Sequence, residues 1–205
     1  MGSVGSVGTH LRVGELSPTH RPRVEAIVRA TGMFSDAEVA VALELFDEAL
    51  NGRESGDAVP TPDPRLPTPG SASDYIFLGA FDSTDALLGF ACYGPTPGTD
   101  RTYDLYWIAV DPAAQGAGAG TLLLTDVERR LRDANARLVV VETSGRAAYH
   151  ATRAFYHARA YAEAARVRDF YGPADDRVVF TKRLEPLGPS HRPPSSSTTP
   201  HTGAE

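Results

Sequence analysis

Hydrophobic residues recur at helical spacing in two stretches of the first quarter of the chain. The first stripe consists of Val24, Ile27 and Val28, and the second of Val39, Leu43, Phe46 and Leu50. Pro22 stands just ahead of the first stripe, where proline fits the first turn of a helix. Ser35 and Glu38 have the spacing of a capping box, in which each side chain satisfies a free backbone N–H group. The pattern therefore predicts two helices.

Farther along, apolar and β-branched runs predict strands that alternate with helices. Strands are predicted over residues 74–81, 87–93, 102–110, 138–141, 167–170 and 178–181, with a turn at 82–85. The run 138–141 is continuously apolar, which is typical of a strand buried on both sides. The inward faces predicted for the two later helices are Leu124, Val127, Leu131 and Ala134, and, over 149–160, Ala151, Phe155 and Ala158. This order of elements predicts a mixed α/β sheet.

Three segments lack a core-forming pattern. Residues 1–9 are rich in Gly, Ser and Val, and residues 186–205 are rich in Pro, Ser and Thr, so both are predicted to be disordered tails. Residues 51–73 contain five prolines within ten positions, which predicts a long mobile loop that serves either as a spacer or as a lid. One folded domain is therefore expected over residues 10–185.

Composition narrows the class of protein. The chain has 205 residues and a formal net charge of −6, so it lacks the basic surface that a nucleic-acid partner requires. The single cysteine, Cys92, excludes a disulfide framework and is expected in the core. No apolar run approaches the ~20 residues of a membrane span, and the first residues show no secretory signal. We therefore expect a soluble cytoplasmic protein with neither a membrane nor a nucleic-acid partner.

The most specific feature is a glycine-rich turn, DPAAQGAGAGT at 111–121, between a predicted strand and a predicted helix. Gly116, Gly118 and Gly120 allow unusual dihedral angles and a close approach of the backbone to a ligand. Free N–H groups and the dipole at a helix start favour an anion, so a phosphate-bearing ligand is expected. A P-loop would need Gly-Lys-Ser/Thr, and a dinucleotide fingerprint would need glycine at Thr121, so both alternatives fit weakly.

Gln115, Gly118 and Gly120 form the pattern Gln-x-x-Gly-x-Gly, which resembles the acyl-CoA diphosphate loop of the GNAT acetyltransferase superfamily. Around this loop, WIAVDP is similar to the fourth strand of that family, LLLTDVERRL to the following helix, LVVVETS to the fifth strand and RAFYHARAY to the next helix. Ala160 stands where that last helix usually ends in glycine. The resemblance spans about residues 11–184 and, more narrowly, extends to one bacterial branch of the family.

The resemblance implies a mostly antiparallel twisted sheet, splayed between its fourth and fifth strands, with helices on both faces. It implies acetyl-CoA as the acyl donor, no metal, and a primary amine that attacks the thioester carbonyl directly in a ternary complex. Backbone groups of Ile108, Ala109 and Val110 would contact the pantetheine arm and the thioester. The diphosphate would be held by Gln115, Gly116, Ala117, Gly118, Ala119, Gly120 and Thr121.

The resemblance also places Tyr156 near the coenzyme sulfur, where its hydroxyl would donate to the leaving thiolate; the alternative is a tyrosine that caps the helix core. A lysine-like amine has a pKa of about 10.4, so forming its free base at pH 7 costs about 4.6 kcal/mol and favours a catalytic base. Glu142, at the end of the fifth strand, is the first candidate base, and Asp104 on the fourth strand is the second. Glu142 would alternatively pin the neighbouring loop.

Acidic and aromatic residues gather on the segments expected to border the acceptor. The acidic residues are Asp104, Glu142, Asp169, Asp175 and Asp176, and the aromatic ones are Tyr93, Tyr106, Trp107, Phe170 and Tyr171. Together they predict a cationic amine acceptor, with scattered surface charge as the plainer interpretation. The chief alternative function is a non-catalytic CoA-binding regulatory module, and a nucleotide-dependent oxidoreductase is a third. The chain is expected to be a monomer or a homodimer.

Overall fold

Seven strands and four helices make up the described part of the chain. The computed structural model describes the backbone of residues 10–55 and 74–185 and, within these ranges, all side chains except those of 51–55. The strands are β1 (Arg12–Glu15), β2 (Ile76–Phe81), β3 (Leu87–Pro95), β4 (Thr102–Val110), β5 (Leu138–Ser144), β6 (Ala162–Gly172) and β7 (Asp175–Arg183). The helices are α1 (Arg21–Ala30), α2 (Asp36–Ser55), α3 (Ala119–Asp133) and α4 (His150–His157). The tails predicted at 1–9 and 186–205 lie outside the described residues.

All seven strands belong to one sheet, in the order β1-β2-β3-β4-β5-β7-β6. β4 and β5 run parallel, and the other neighbouring pairs of this sheet are antiparallel. The mixed α/β class and the mostly antiparallel sheet are therefore confirmed. The sequence pattern does not predict β1, because RVGE is short and holds a single β-branched residue. β1 forms by pairing with β2, from Arg12 opposite Phe81 to Glu15 opposite Leu78.

Helices cover both faces of the sheet and create two hydrophobic cores. α1 and α2 lie on one face, where all seven residues of the two predicted stripes are buried. These residues pack against Phe77 of β2 and Phe90 of β3. α3 lies on the opposite face and buries Leu123 and Val127, and Tyr156 of α4 joins the same core. The prediction of helices on both faces is confirmed.

The start of α2 agrees with the sequence pattern, and its end does not. The Ser35 N–H donates to Glu38 Oε2 at 2.8 Å, and the Glu38 N–H donates to Ser35 Oγ at 3.3 Å, which is the predicted capping box. The helix then continues through Ser55, five residues into the segment predicted as a loop at 51–73. The loop prediction is wrong for those five residues, because the first of the five clustered prolines is Pro60. Residues 56–73 lie outside the described residues.

The inward faces predicted for the later helices need correction. On α3, Leu124, Val127 and Leu131 are buried as predicted, whereas Ala134 caps the C-terminus and is exposed. α4 is shorter than the predicted 149–160, and Ala151 and Ala158 are exposed. The one buried residue of α4 is Tyr156. Alanine fits a helix on any face, so its spacing alone does not show which side is buried.

The strands of the second half also differ from the prediction. In β5, Val139 and Val141 are buried while Leu138 and Val140 are half-buried, so this strand is fully covered on one face. β6 and β7 are longer than the predicted strands at 167–170 and 178–181. β6 lies at the edge of the sheet and, apart from Gly172, every one of its residues is exposed. Charged residues therefore occupy it freely, which hides the strand from a hydrophobic pattern.

Cys92 and Glu128 are among the buried residues that carry polar groups. Cys92 lies in β3 with no exposed surface, as predicted, and burial raises the pKa of its thiol. Glu128 of α3 is 6% exposed, and its carboxylate accepts from Lys182 Nζ at 2.8 Å and from Arg132 Nη2 at 2.9 Å. This ion pair joins α3 to β7, because Lys182 belongs to that strand. Cys92 packs in the core, and Glu128 links two elements of the fold.

Candidate active site

The candidate site begins where β4 and β5 separate. The parallel pairing runs from Thr102 opposite Leu138 to Leu105 opposite Val141 and stops there. On the other side of β4, Cys92 pairs with Trp107 and Tyr93 with Leu105, so Tyr106 is an extra residue in a β-bulge. A bulge bends its strand, and here it turns the second half of β4 away from β5. The resulting splay exposes backbone groups of residues 107–110 that β5 does not pair.

A cavity of about 580 Å³ lies in this splay and is called the first cavity below. Its walls include Ile108, Ala109 and Val110 of β4, Glu142 of β5 and Tyr156 of α4. The structure thus brings together the residues that the sequence assigned to the pantetheine arm, to the base and to the thiolate donor. Asp104 does not line this cavity.

The connection between α1 and α2 closes one side of the first cavity. The Tyr149 hydroxyl donates to the Met33 carbonyl oxygen at 2.9 Å, which joins the turn before α4 to this connection. Phe34 packs on Trp107 of β4 with 4.8 Å between ring centres. These contacts join residues far apart in the sequence, and no local pattern predicts them. The four residues in these contacts all line the first cavity.

The glycine-rich loop has a backbone conformation that only glycine adopts readily. Gly116 has φ +82° and Gly118 has φ +93°, and Gly118 is the N-cap of α3. The first hydrogen bond within the helix runs from the Leu122 N–H to the Gly118 carbonyl oxygen at 2.9 Å. The helical N–H groups before Leu122 therefore have no partner within the helix. Free N–H groups at a helix start are the geometry that the sequence-based hypothesis of an anion site requires.

Asp111 fixes the start of this loop. Its carboxylate accepts from the Ala113 N–H at 2.8 Å and from Arg23 Nη2 at 2.5 Å. Arg23 belongs to α1 and also donates to the Leu87 carbonyl oxygen at 2.9 Å. The Ala113 hydrogen bond and the Arg23 guanidinium lower the pKa of the Asp111 carboxyl below its usual range. The loop is thereby tied to α1 on the opposite side of β4.

A second cavity, of about 450 Å³, opens at the loop. Its walls include six of the predicted diphosphate residues: Gln115, Gly116, Gly118, Ala119, Gly120 and Thr121. Ala117 lines neither cavity. Both cavities are lined by Ile108, Val110, Gln115, Ala151 and Thr152, so the two adjoin along β4 and α4. Together they form one groove from the glycine-rich loop to Glu142.

The sequence analysis missed Arg159, which lines the second cavity beside the loop. Its Nη2 donates to the Thr121 hydroxyl, and its guanidinium lies 3.7 Å from the centre of the Phe155 ring. Arg159 follows the end of α4 and meets Thr121 in the first turn of α3. The signal available in the sequence was a cation three residues after Tyr156, on the helix predicted to flank the coenzyme.

Tyr156 lies at the junction of the core and the first cavity. It is 3% exposed, and its ring packs against Phe155, Tyr161 and Phe180 with 5.4–5.7 Å between ring centres. Burial raises the pKa of its hydroxyl, so the hydroxyl stays protonated at neutral pH. Tyr156 also lines the first cavity. It therefore packs in the core and lies at the groove, so its position is compatible with both interpretations of the sequence, a cap on the helix core and a donor to the thiolate.

The two candidate bases have different surroundings. Glu142 is paired with Arg177 of β7, so its carboxylate is fixed at the edge of the first cavity. Asp104 accepts a hydrogen bond from Thr96 Oγ1 at 2.7 Å. Burial raises the pKa of the Asp104 carboxyl, although the hydrogen bond from Thr96 opposes the shift. Glu142 therefore lies at the first cavity, whereas Asp104 pairs with Val140 in the sheet and does not line that cavity.

The other acidic residues of the predicted acceptor side carry partners. Asp175 accepts from Ser144 Oγ at 2.5 Å and pairs with Arg146 at 3.2 Å, and Asp176 pairs with Arg166 at 3.2 Å. Asp169 accepts from the Ala174 N–H at 2.6 Å. Of the five predicted acidic residues, Glu142 and Asp175 line the first cavity, and arginines pair with both of them.

The predicted aromatic residues divide into three groups. Tyr106, Trp107 and Tyr171 line the first cavity. Tyr93 is instead buried in the core at 3% exposure, because its position in β3 faces α3. Phe170 is half exposed and packs on Tyr171 with 5.0 Å between ring centres. Three of the five aromatic side chains thus form walls for a ligand.

A splayed mixed sheet, with a glycine-rich helix start at one end of the splay and a tyrosine at the other, is the architecture of a coenzyme-binding acyltransferase. Residues 43–161 match the model of the acetyltransferase (GNAT) family. The chain belongs to this family, and it is an acyltransferase by this membership. The sequence-based assignment to the GNAT superfamily is therefore confirmed.

Solved structures share the fold. A GNAT-family protein from Desulfovibrio desulfuricans is 35% identical, covers 86% of this chain and 99% of its own, and superposes with a TM-score of 0.70. The ribosomal-protein-S18-alanine N-acetyltransferase of Escherichia coli is 18% identical, covers 89% and 99%, and has a TM-score of 0.62. The PaiA N-acetyltransferase of Thermoplasma acidophilum, in complex with coenzyme A, is 15% identical, covers 85% and 99%, and has a TM-score of 0.59.

No match was found among curated proteins. Among the helices that the structure describes, none is both long and apolar enough to cross a membrane.

Proposed function

We propose that the protein is an acetyl-CoA-dependent N-acetyltransferase that moves an acetyl group to a primary amine by direct attack in a ternary complex. The observation that carries the proposal is the single groove formed by the two adjoining cavities, which share Ile108, Val110, Gln115, Ala151 and Thr152. An anion site at one end and a tyrosine with a carboxylate at the other suit the two ends of an acyl coenzyme. The coenzyme A bound to the Thermoplasma acidophilum relative supports this choice of donor.

In this proposal the loop binds the coenzyme and β4 orients it. The N–H groups of the loop between Gln115 and Thr121 hold the diphosphate, helped by the dipole of α3. Each such contact at a helix start contributes about 0.3–1 kcal/mol, so several amides hold an anion without a lysine. The backbone groups of Ile108, Ala109 and Val110 that neither β3 nor β5 engages bind the pantetheine arm. One of these N–H groups then stabilises the oxyanion that forms when the amine attacks the thioester carbonyl.

Tyr156 assists the leaving thiolate in the proposed reaction. A coenzyme thiol has a pKa near 8.5, and tyrosine near 10, so moving the proton fully to sulfur is uphill by about 2 kcal/mol. Burial raises the pKa of Tyr156 and makes the full transfer less favourable. We therefore assign Tyr156 mainly as a hydrogen-bond donor to the charge that develops on sulfur.

Glu142 is the preferred candidate for receiving the proton of the amine. It lines the first cavity, whereas Asp104 does not. The Arg177 pair holds the Glu142 carboxylate in place, and a carboxylate there also attracts the ammonium form of the acceptor. Asp104 lies within electrostatic range of both: Glu142 raises the pKa of the Asp104 carboxyl and Arg177 lowers it.

The proposed acceptor is cationic. Tyr106, Trp107 and Tyr171 provide aromatic walls, and Glu142 and Asp175 provide carboxylates at the cavity. The Escherichia coli relative is named for acetylating an alanine of a ribosomal protein, which makes a peptide amine one member of the acceptor class to test. A cytoplasmic location belongs to the same proposal, since a lone buried cysteine suits a reducing compartment.

An acceptor screen with acetyl-CoA tests this function. The panel contains polyamines, aminoglycosides and peptides with a free α-amine, each matched with a neutral or anionic amine of similar size. We expect turnover with a cationic amine, measured as acetylated product by mass spectrometry. A best acceptor that is neutral or anionic would contradict the acceptor class. Tight acetyl-CoA binding without turnover on any amine would instead favour a non-catalytic CoA-binding module.

A further inference from the structure

Arg159 places a guanidinium at the rim of the glycine-rich loop. Of the described residues that line the second cavity, Arg159 is the one with a charged side chain. Its Nη1 donates to the Phe155 carbonyl oxygen at 2.9 Å, and its Nη2 donates to the Thr121 hydroxyl. The guanidinium also lies 3.7 Å from the centre of the Phe155 ring. These three contacts hold the side chain in one position beside the first turn of α3.

The held guanidinium keeps donors available for a ligand. A guanidinium carries five N–H groups, and Phe155 and Thr121 engage two of them. Nε is buried, so the donors left for a ligand are the second N–H groups of Nη1 and Nη2. Thr121 Oγ1 accepts from Arg159, so the hydroxyl proton of Thr121 is free to donate. An arginine and a hydroxyl prepared in this way suit an anion with several oxygens.

The coenzyme offers two kinds of phosphate, and they differ in what they need. The diphosphate lies between the pantetheine arm and the ribose, where the loop N–H groups and the helix dipole suffice. The 3′-phosphate is a separate monoester on the ribose, with up to two negative charges at neutral pH. A guanidinium forms paired hydrogen bonds with such a group. Within the described lining of the second cavity, Arg159 alone supplies one.

We propose that Arg159, together with the Thr121 hydroxyl, binds the 3′-phosphate and makes the protein select coenzyme A over its 3′-dephosphorylated form. The inference rests on the proposed coenzyme site and adds a specificity-determining residue to it. Phe155 acts as the surface that positions the guanidinium, because its ring and its carbonyl oxygen both contact Arg159.

Isothermal titration with CoA and with 3′-dephospho-CoA tests the assignment, because the two ligands differ in that phosphate alone. We expect the wild-type chain to bind CoA about ten-fold more tightly, the size expected for a charge-assisted contact at a partly exposed site. Arg159→Gln should weaken CoA by about ten-fold, leave dephospho-CoA nearly unchanged, and so abolish the preference. Arg129→Gln removes an exposed positive charge of α3 away from both cavities and should keep the preference.

Thr121→Val and Arg159→Lys complete the set. Thr121→Val keeps the side-chain volume and should reduce the preference for CoA over 3′-dephospho-CoA by about two- to three-fold. This variant tests the proposal even if Arg159→Gln folds poorly. Arg159→Lys keeps the charge, loses the paired geometry and should lie between wild type and Arg159→Gln. Equal weakening of both ligands by Arg159→Gln, or an unchanged preference, would overturn the assignment. A wild-type chain that binds neither ligand would contradict the proposed function itself.

Discussion

Ala160 occupies a backbone position that usually belongs to glycine. Its φ is +62°, in the left-handed region, and it lies in the turn that follows α4. The Tyr161 N–H donates to the Tyr156 carbonyl oxygen and the Ala160 N–H to that of His157, each at 3.1 Å. This pair of bonds is a Schellman motif, whose turn glycine forms without strain. Alanine at position 160, where the family usually has glycine, therefore preserves the turn but strains the backbone there.

Ala160→Gly should stabilise the protein. Removing the Cβ relieves the left-handed strain, and the greater freedom of glycine in the unfolded chain offsets part of the gain, so we expect about 0.5–1 kcal/mol. Urea denaturation measures the change. Ala154→Gly, at an exposed position inside α4, is the matched control and should lose about 1 kcal/mol. Equal destabilisation by both changes would show that Ala160 is not strained.

Tyr156→Phe should lower kcat by ten-fold or more, with little change in the KM for acetyl-CoA. The ring and its core contacts stay, while the donor to the developing thiolate is lost, which raises the barrier by about 1.4 kcal/mol or more. Steady-state kinetics with the best acceptor of the screen measures both constants. Tyr161→Phe, which removes a buried hydroxyl of the same core outside both cavities, is the control. An unchanged kcat for Tyr156→Phe would remove it from the mechanism.

At the scale of elements, hydrophobic periodicity predicted the helices that are buried on one face. It did not predict the β-bulge or the strands that form only by pairing with a neighbour. The stripes of α1 and α2 fall on the buried faces because each helix packs on one face of the sheet. The bulge at Tyr106 has no local signature, because it is defined by the pairing of β4 with β3. β1 and most of β6 escape for a similar reason, since each gains its structure from a neighbouring strand.

Asp111 links the stability of the loop to pH. Its pKa is lowered in the folded chain, so its stabilising effect is complete above its unfolded value, near 3.9, and fades as the pH falls through the lower folded value. Asp111→Ala should cost about 1 kcal/mol at pH 7, because a cap and an ion pair are lost. The difference from wild type should shrink below about pH 4.

Urea denaturation at pH 7 and pH 3 tests this dependence. Asp133→Ala, at the exposed end of α3 and paired there with Arg129, should cost less than about 0.5 kcal/mol at either pH. A difference between Asp111→Ala and wild type that stays constant with pH would contradict the role given to the carboxylate.

At the scale of the whole molecule, the sequence predicted many of the residues that line the groove, but not the contacts that close it. The glycine spacing of the loop and the position of Tyr156 are local features of the sequence. The loop glycines and Tyr156 all line the groove. The Tyr149–Met33 and Arg159–Thr121 contacts join segments that meet only in the folded chain. The balance of the acidic cluster by Arg146, Arg166 and Arg177 is likewise a product of packing. Residue spacing along one chain does not contain such information.

Acetyl-CoA should raise the stability of the whole domain, and NAD should not. A ligand at one hundred times its dissociation constant adds about 2.7 kcal/mol when it binds only the folded chain. For a domain of roughly this size that corresponds to an increase in Tm of several degrees. Thermal unfolding with each ligand measures the shift. A shift with NAD and none with acetyl-CoA would restore the oxidoreductase alternative.

The burial of Cys92 has a practical consequence for watching turnover. Acetyl transfer frees a sulfhydryl on the coenzyme, and a chromogenic disulfide reagent reacts with such groups. The one cysteine of the sequence lies sealed inside β3, so the folded chain contributes no colour of its own. Product release can then be followed continuously without background. Under conditions in which Cys92 does react, the rate of that reaction reports the rate at which the fold opens and exposes the thiol.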